Sequence, residues 1–350
     1  MQSGGAPLPE MLARMLGLDP TNPGVILVMA LIASAAVGSF VLTNTAVVIW
    51  AKRKITAAFT DRIAINRVGP LGLFIIVADA VRLLSKELIV PEEVDRPAWD
   101  LAPLVLSGSA LLGFAVIPMD MQYNIQIADP EVGLAYVFAT ASIASVGLVM
   151  AGYASNNKYS FLGGLRAVAQ NIAYEIPLIL TGASVVIFAG SLQMSEIVMA
   201  QQQSLIGPLP AWYAFVNPFA FVLFMIANLA EVGRNPFDIP EAPTEIVAGY
   251  QTEYSSVYFV LMYLGEFIHI FLGGAIVATI FLGGPAGPVL PGIVWFVIKM
   301  WAVFLFTQWA RSAVPRVRID QLIQIGWKGM LVLSLANLML TAAIVGVVNV

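Results

Sequence analysis

The sequence predicts an all-α polytopic membrane protein with eight transmembrane helices, an amphipathic surface helix and long cytoplasmic loops, and three observations carry that prediction. Of 350 residues, 59% are apolar, and 17 basic and 21 acidic side chains amount to 11%. A soluble domain carries about 25% charged residues. Charge-free runs recur at 21–51, 101–119, 132–157, 176–195, 197–230 and 329–350, and a bilayer core needs roughly 17–25 such residues per helix. Ten-residue segments alternating apolar and polar side chains are missing, which excludes a membrane β-barrel.

The elements follow in order. The first twenty residues lack the basic opening of a signal peptide, and Met11–Leu16 reads as a short interfacial helix. Spans are placed at 24–50, 101–119, 133–153, 166–190, 211–230, 255–282, 289–309 and 329–349. The fourth is carried back through Glu175, the sixth tolerates Glu266 and His269, and the seventh tolerates Lys299. No stretch outside the spans could build a core of its own, so 1–350 reads as a single membrane domain. Fifteen of the 17 basic residues fall in loops one, three, five and seven, which places those loops in the cytoplasm and both termini on the opposite face.

Two cytoplasmic loops carry patterns of their own. In segment 70–88, Leu73, Ile76, Val77, Ala80 and Leu84 recur at helical spacing, with Asp79, Arg82 and Lys86 opposite. Either a plain surface anchor or a functional wall fits. The loop 231–253 sets Glu231, Asp238, Glu241, Glu245 and Glu253 against Arg234, and Pro236, Pro240 and Pro243 prevent a continuous helix. Crowded carboxylates raise one another's proton affinity, so the loop suits proton handling or ligand binding as well as a solvated acidic surface.

Ionisable groups inside spans cost on the order of 3 kcal/mol each on insertion scales and usually face protein or water. Glu175 shares a helix face with Gln170, Asn171 and Tyr174, and Pro177 frees the Ala173 carbonyl nearby. Glu266 and His269, three residues apart with Tyr263 a turn earlier, could pass a proton or glue helices together. Lys299 either snorkels to an interface or compensates a buried acid.

No cysteine is present, and His269 is the only histidine. That excludes thiol nucleophiles and thiolate clusters and argues against a metal or haem site. Phosphate-cradling glycine loops, a Ser-His-Asp set and a basic-aromatic surface for nucleic acid are also missing. The chain is expected to move protons or bind an apolar ligand and to hold no catalytic residue of its own.

Several strings together carry a resemblance. They are Asn66-Arg-Val-Gly-Pro70, Ala78-Asp79, Lys86-Glu87, Leu165-Arg-Ala167 and Tyr174-Glu-Ile-Pro177, and above all Ala230-Glu-x-x-Arg-x-Pro-Phe-Asp-x-Pro-Glu-Ala242 with Glu245-x-Val-Ala-Gly-Tyr-x-Thr-Glu-Tyr254. From about residue 50 to 320 the chain resembles the H-subunit family of bacterial NADH-quinone oxidoreductase, respiratory complex I. The resemblance implies a subunit at the heel of an L-shaped complex in the cell inner membrane. It would shape part of the quinone chamber while flavin and iron–sulfur clusters sit on partners. Peripheral iron–sulfur and quinone-site subunits, antiporter-like membrane subunits, lipid and quinone are the implied partners. Quinone-binding candidates are then Arg67, Arg234, Asp238 and Glu241; proton-coupling candidates are Asp79, Glu175, Glu231, Glu245, Glu253, Glu266 and His269.

The chain departs from the family's usual pattern at Lys52-Arg53-Lys54 (Glu-Arg-Lys), Thr60 (Gln), Ala64-Ile65 (Gly-Pro), Glu241-Ala242-Pro243 (Glu-Ala-Glu) and Gln251 (His). The Pro243 change deletes a carboxylate and adds a kink. A paralogue fed by ferredoxin, reduced deazaflavin or hydrogen, a proton-coupled secondary carrier, and a structural anchor are the alternative readings. A carrier would be expected to show inverted repeats, and none is evident.

Overall fold

The computed structural model describes residues 7–202, 204–206, 209–242 and 244–348. The Pro243 kink and the last residue of the 329–349 span lie outside the described residues. Helices α1 (Leu8–Met15), α2 (Pro23–Phe59), α3 (Ile75–Leu84), α4 (Arg96–Gly113), α5 (Gly133–Ala154) and α6 (Lys158–Ala189) follow one another. After them come α7 (Met194–Ala200), α8 (Tyr213–Val216), α9 (Pro218–Glu231), α10 (Ser256–Phe281), α11 (Gly292–Ala313), α12 (Ile319–Gln324) and α13 (Leu331–Val348). The all-helical architecture carries one small addition: β1 (Ser204–Ile206) pairs antiparallel with β2 (Leu209–Pro210).

Among the described residues seven helices are long and apolar enough to cross a membrane: α2, α4, α5, α6, α10, α11 and the joined α12–α13. The remaining predicted span, the fifth at 211–230, is a broken helix. Pro218 cannot donate a backbone hydrogen bond, and Asn217 caps α9 by accepting from the Ala220 amide at 3.0 Å. The 14 residues of α9 reach only about 21 Å at 1.5 Å per residue, short of a bilayer core. Other boundaries move outwards. α2 runs nine residues beyond 50 because Arg53 finds Asp79 and Lys52 finds an aromatic face. The last helical stretch starts at Ile319 and passes Lys328, which is exposed, through a π-helical turn at Ile325–Met330.

The helices alternate in direction, and the connections gather at two ends. At one end, segments 60–95, 155–157, 232–255 and 314–318 meet: Ser255 bonds the Ile89 amide, Asn157 bonds Glu253, and the Val317 amide donates to the Pro236 carbonyl. This is the basic end. At the other end the Leu8 amide donates to the Gln126 carbonyl and the Leu134 amide to the Leu192 carbonyl.

α10 is the hub of the core, with 67% of its apolar window buried against 22% for α2 and for α12–α13. It packs on α4, α11 and α2. α4 comes so close that a Cβ on Gly265 would stand 3.0 Å from Ser107 Cα, a tight backbone approach that glycine accommodates without any shift. Pro103 inside α4 leaves the Trp99 carbonyl without its intrahelical donor, and Tyr254 Oη donates to it at 3.2 Å while its ring stacks on Trp99 at 3.9 Å. That contact pins the acidic segment to the bundle.

α3 buries none of its residues, and Val77, Val81 and Leu84 are 55–61% exposed. Its apolar side is therefore free for lipid, as a surface helix requires, while Asp79 turns inward to Arg53 at 2.5 Å and Arg82 at 3.0 Å.

Candidate functional site

The site is built where segment 231–253 folds back over the basic ends of α6 and α10. Gly249, at φ +57°, makes this fold possible: a Cβ there would lie 1.9 Å from the Pro240 carbonyl oxygen. The turn Gly249–Gln251 rests on α6 and points Tyr250 and Gln251 inward.

Arg234, 4% exposed, reaches Glu266 of α10, 10% exposed, at 2.7 Å and lies over the Phe267 ring at 4.6 Å. Burying either charge alone would be costly, so the pair holds the segment to α10. Gln251 Nε2 donates to Glu241 Oε1 at 2.9 Å and to Tyr250 Oη at 2.8 Å. Burial first, then the neighbouring Glu266 carboxylate, pushes Glu241 up to about 8, while Arg234 pulls it back. Burial and the Glu266 charge also raise Asp238, which Arg316 opposes from 3.3 Å. Tyr250 rises well above the usual phenol range, chiefly through burial and then the Glu241 charge.

A cavity of about 50 Å³ lies among these groups, walled by Gln170, Asn171, Glu231, Glu241, Glu266 and His269. Each water needs roughly 10–15 Å³ of such space, so several fit. Gln170 Oε1, Glu231 Oε2, Glu266 Oε2 and His269 Nε2 find no protein partner among the described residues, which suits a wet cavity rather than a dry one. With His269 Nδ1 donating to the Gly265 carbonyl at 3.3 Å, its Nε2 presents a lone pair. Beyond the cavity Glu175 lies within electrostatic reach of Glu231 and accepts a hydrogen bond from Ser142 Oγ of α5. Glu241, Glu266, His269, Glu231 and Glu175 thus form a run of titratable groups from the acidic segment into the bundle.

Other candidates lie apart from that cavity. Glu245 pairs with Arg166 at 2.6 Å on the periphery, and Glu253 accepts from Asn157 at 2.5 Å. Asp79 pairs with its two arginines, and Arg67 is exposed on the segment before α3. Tyr174 leaves the polar stripe expected for it, donating to the Leu322 carbonyl at 3.1 Å. Lys299 neither snorkels nor meets an acid: it donates to the carbonyls of Gly284 at 2.8 Å and Ala286 at 2.6 Å under the Trp212 ring. Sequence reasoning did not single out Ser142, Arg311 or Arg316. A serine in an apolar helix gives no signal of its own, whereas two arginines just after a span could have drawn notice.

Such an architecture, long apolar helices packed around a run of buried acids at one end, defines an all-α polytopic membrane protein. A model of the NADH dehydrogenase family matches residues 31–342, and the chain belongs to that family. It is 44% identical over 303 residues to the NADH-quinone oxidoreductase H subunit of Dehalococcoides mccartyi (strain CBDB1), covering 87% of this chain and 83% of the relative. It is also 44% identical over 302 residues to the proteins of the same name from Bacillus cereus (strain B4264) and Bacillus thuringiensis (strain Al Hakam), covering 85% of this chain and 88% of each.

Proposed function

We propose that this chain is the membrane subunit of an NADH-quinone oxidoreductase that forms part of the quinone chamber and couples quinone reduction to proton translocation. The observation that carries the reading is the buried Arg234–Glu266 pair beside Glu241, opening onto a water-sized cavity that leads to Glu231 and Glu175. The 44% identity to relatives bearing that name supports it. Quinone enters from the bilayer between α2, the segment around α3, and α10, where apolar walls suit a hydrophobic ring and tail. Flavin and iron–sulfur clusters reside on peripheral partners docked at the basic end, so the chain is not catalytic alone. That end faces the cytoplasm, and the termini face the other side of the cell membrane.

Two-electron reduction converts the quinone to a dianion that demands two protons. Glu241, held protonated towards pH 8, supplies one of the two, and Asp238, whose proton affinity burial also raises, supplies the other. Their loss of protons changes the balance around Glu266 and Arg234. The change passes through the cavity water to Glu231 and Glu175 as one coupled titration, and from there to antiporter-like subunits.

The test is recovery of the tagged chain in mild detergent, followed by quinone reduction and proton uptake with several donors. Co-purification of flavin and iron–sulfur subunits with NADH activity is expected. Wild-type rates and proton stoichiometry in both Glu241→Gln and Arg234→Gln would overturn the assignment.

A further inference from the structure

Gln251 holds two groups with one amide nitrogen. Its Nε2 donates to Glu241 Oε1 at 2.9 Å and to Tyr250 Oη at 2.8 Å, and a planar NH₂ group spreads its two hydrogens about 120° apart. The carboxyl and hydroxyl oxygens therefore stand about 5 Å from one another. One water spans that gap, because two hydrogen bonds of about 2.8 Å meeting at its oxygen cover nearly the same distance.

The spacing is fixed from behind. The turn Gly249–Gln251 rests on α6 so closely that a Cβ on Gly163 would stand 2.7 Å from the Tyr250 amide nitrogen. Tyr250 and Gln251 are 3% and 8% exposed, so neither side chain has bulk solvent to turn to. Tyr250 lines the wet cavity together with Glu241, Glu231, Glu266 and His269. Its oxygen accepts from Gln251, and no hydrogen bond among the described residues uses its O–H hydrogen. A buried hydroxyl needs an acceptor, and the water of this cavity supplies one.

Once Glu241 has given up its proton it must regain one before the next turnover. The neutral amide of Gln251 is a poor proton carrier, whereas a hydroxyl can accept one proton as it releases another. We propose that Tyr250, held by Gln251, is the residue through which Glu241 regains its proton from the cavity water; this rests on the quinone reading above and adds the route of reprotonation to it. A cavity water gives a proton to the second lone pair of Tyr250 Oη as the original O–H hydrogen leaves to the bridging water, and that water passes a proton to the Glu241 carboxylate. The phenol ends as it began, and only Glu241 is changed. Burial and the Glu241 charge keep the phenol protonated well above its usual range, in keeping with a relay that never ionises.

The test uses the assembled membrane complex, in wild type and in Tyr250→Phe, which keeps the ring and removes only the hydroxyl. Near neutral pH Glu241 starts protonated, so the first quinone mixed in a stopped-flow experiment should be reduced at the wild-type rate. Later turnovers should slow about tenfold or more, as the loss of a positioned proton carrier implies, and their solvent isotope effect should rise. Gln251→Leu should slow later turnovers by a smaller factor, since the hydroxyl stays and only its hold is lost. A first turnover slowed as much as the later ones would make the hydroxyl a structural group and overturn the proposal. Wild-type later turnovers with an unchanged isotope effect would overturn it too. Should Tyr250→Phe fail to assemble, Gln251→Leu decides by the same comparison of first and later turnovers. Glu241→Gln tells the two failures apart: wild-type turnover there removes the quinone reading itself, whereas impaired turnover there beside wild-type turnover in Tyr250→Phe removes only the relay.

Discussion

The two ends of the bundle use polar groups in opposite ways. At the end away from the acidic segment, buried polar side chains are tied to the backbone. Lys299 caps two carbonyls, Asp120 accepts from the Gln122 and Ile293 amides at 2.8 and 3.3 Å, and Gln201 bridges the Thr279 carbonyl and the Gly283 amide at 2.9 Å each. Asp129, half-buried, is tied instead to side chains that do not titrate, accepting from Gln126, Gln193 and Ser195 at 2.5–3.0 Å. These knots have one arrangement and close the turns between helices. At the basic end, side chains face one another and water-sized space, and several oxygens and nitrogens lack protein partners among the described residues. Groups satisfied by backbone stabilise a fold, whereas groups satisfied by other titratable groups can change state.

The largest expected effect breaks the buried pair. Arg234→Met should leave Glu266 uncompensated, destabilise the complex by about 3–5 kcal/mol and abolish quinone reduction. Adding Glu266→Leu should restore much of the thermal stability without the activity. Recovery of both together would erase the difference between the ends.

A smaller loss in stability is expected at the other end. Lys299→Met should strip two carbonyls of their donor and cost about 1–3 kcal/mol. Turnover per intact complex should stay at the wild-type value, and a fall in turnover at constant assembly would make that end functional too.

Glu241→Gln sharpens the contrast by pH. A carboxyl raised from 4.5 to about 8 favours the folded complex fully below pH 4.5, and that contribution fades as pH rises through 8. Thermal stability of the wild type should therefore decline between those limits more steeply than that of the glutamine variant. Activity that needs the protonated acid should show an alkaline limb near pH 8 in the wild type, shifted or absent in the variant.

Asp129→Asn should have the smallest effect, within about 1 kcal/mol, because an amide oxygen can still accept from Gln126, Gln193 or Ser195. Its pH profile should match the wild type.

Hydropathy is a local property, so the order of the crossings, the amphipathic segment and the acidic segment were all legible along the chain. Glu175, Glu266 and His269 could be named because a charge or imidazole in an apolar run is conspicuous wherever it points, and Glu231 and Glu241 because carboxylates crowd together in the loop 231–253. Helix ends were less legible. Lys52-Arg53-Lys54 and Lys328 look like stops, yet α2 and the last helix run through them because cross-helix or solvent partners accept those charges. The broken α8–α9 crossing depends on how Asn217 caps α9 and donates from Nδ2 to Thr341 Oγ1 at 3.1 Å, across 124 residues.

By itself, then, the sequence determined that this is a helical membrane protein with acids inside it, because about twenty apolar residues in succession have nowhere else to go. Partner choice was decided only by the tertiary structure. Arg234 took Glu266 rather than a neighbour in its own loop, Glu245 took Arg166, and Lys299 took carbonyls instead of an acid. The physical reason is distance. An ion pair or a hydrogen bond is won over a few ångströms in space, and spacing along the chain does not say which helix will stand opposite.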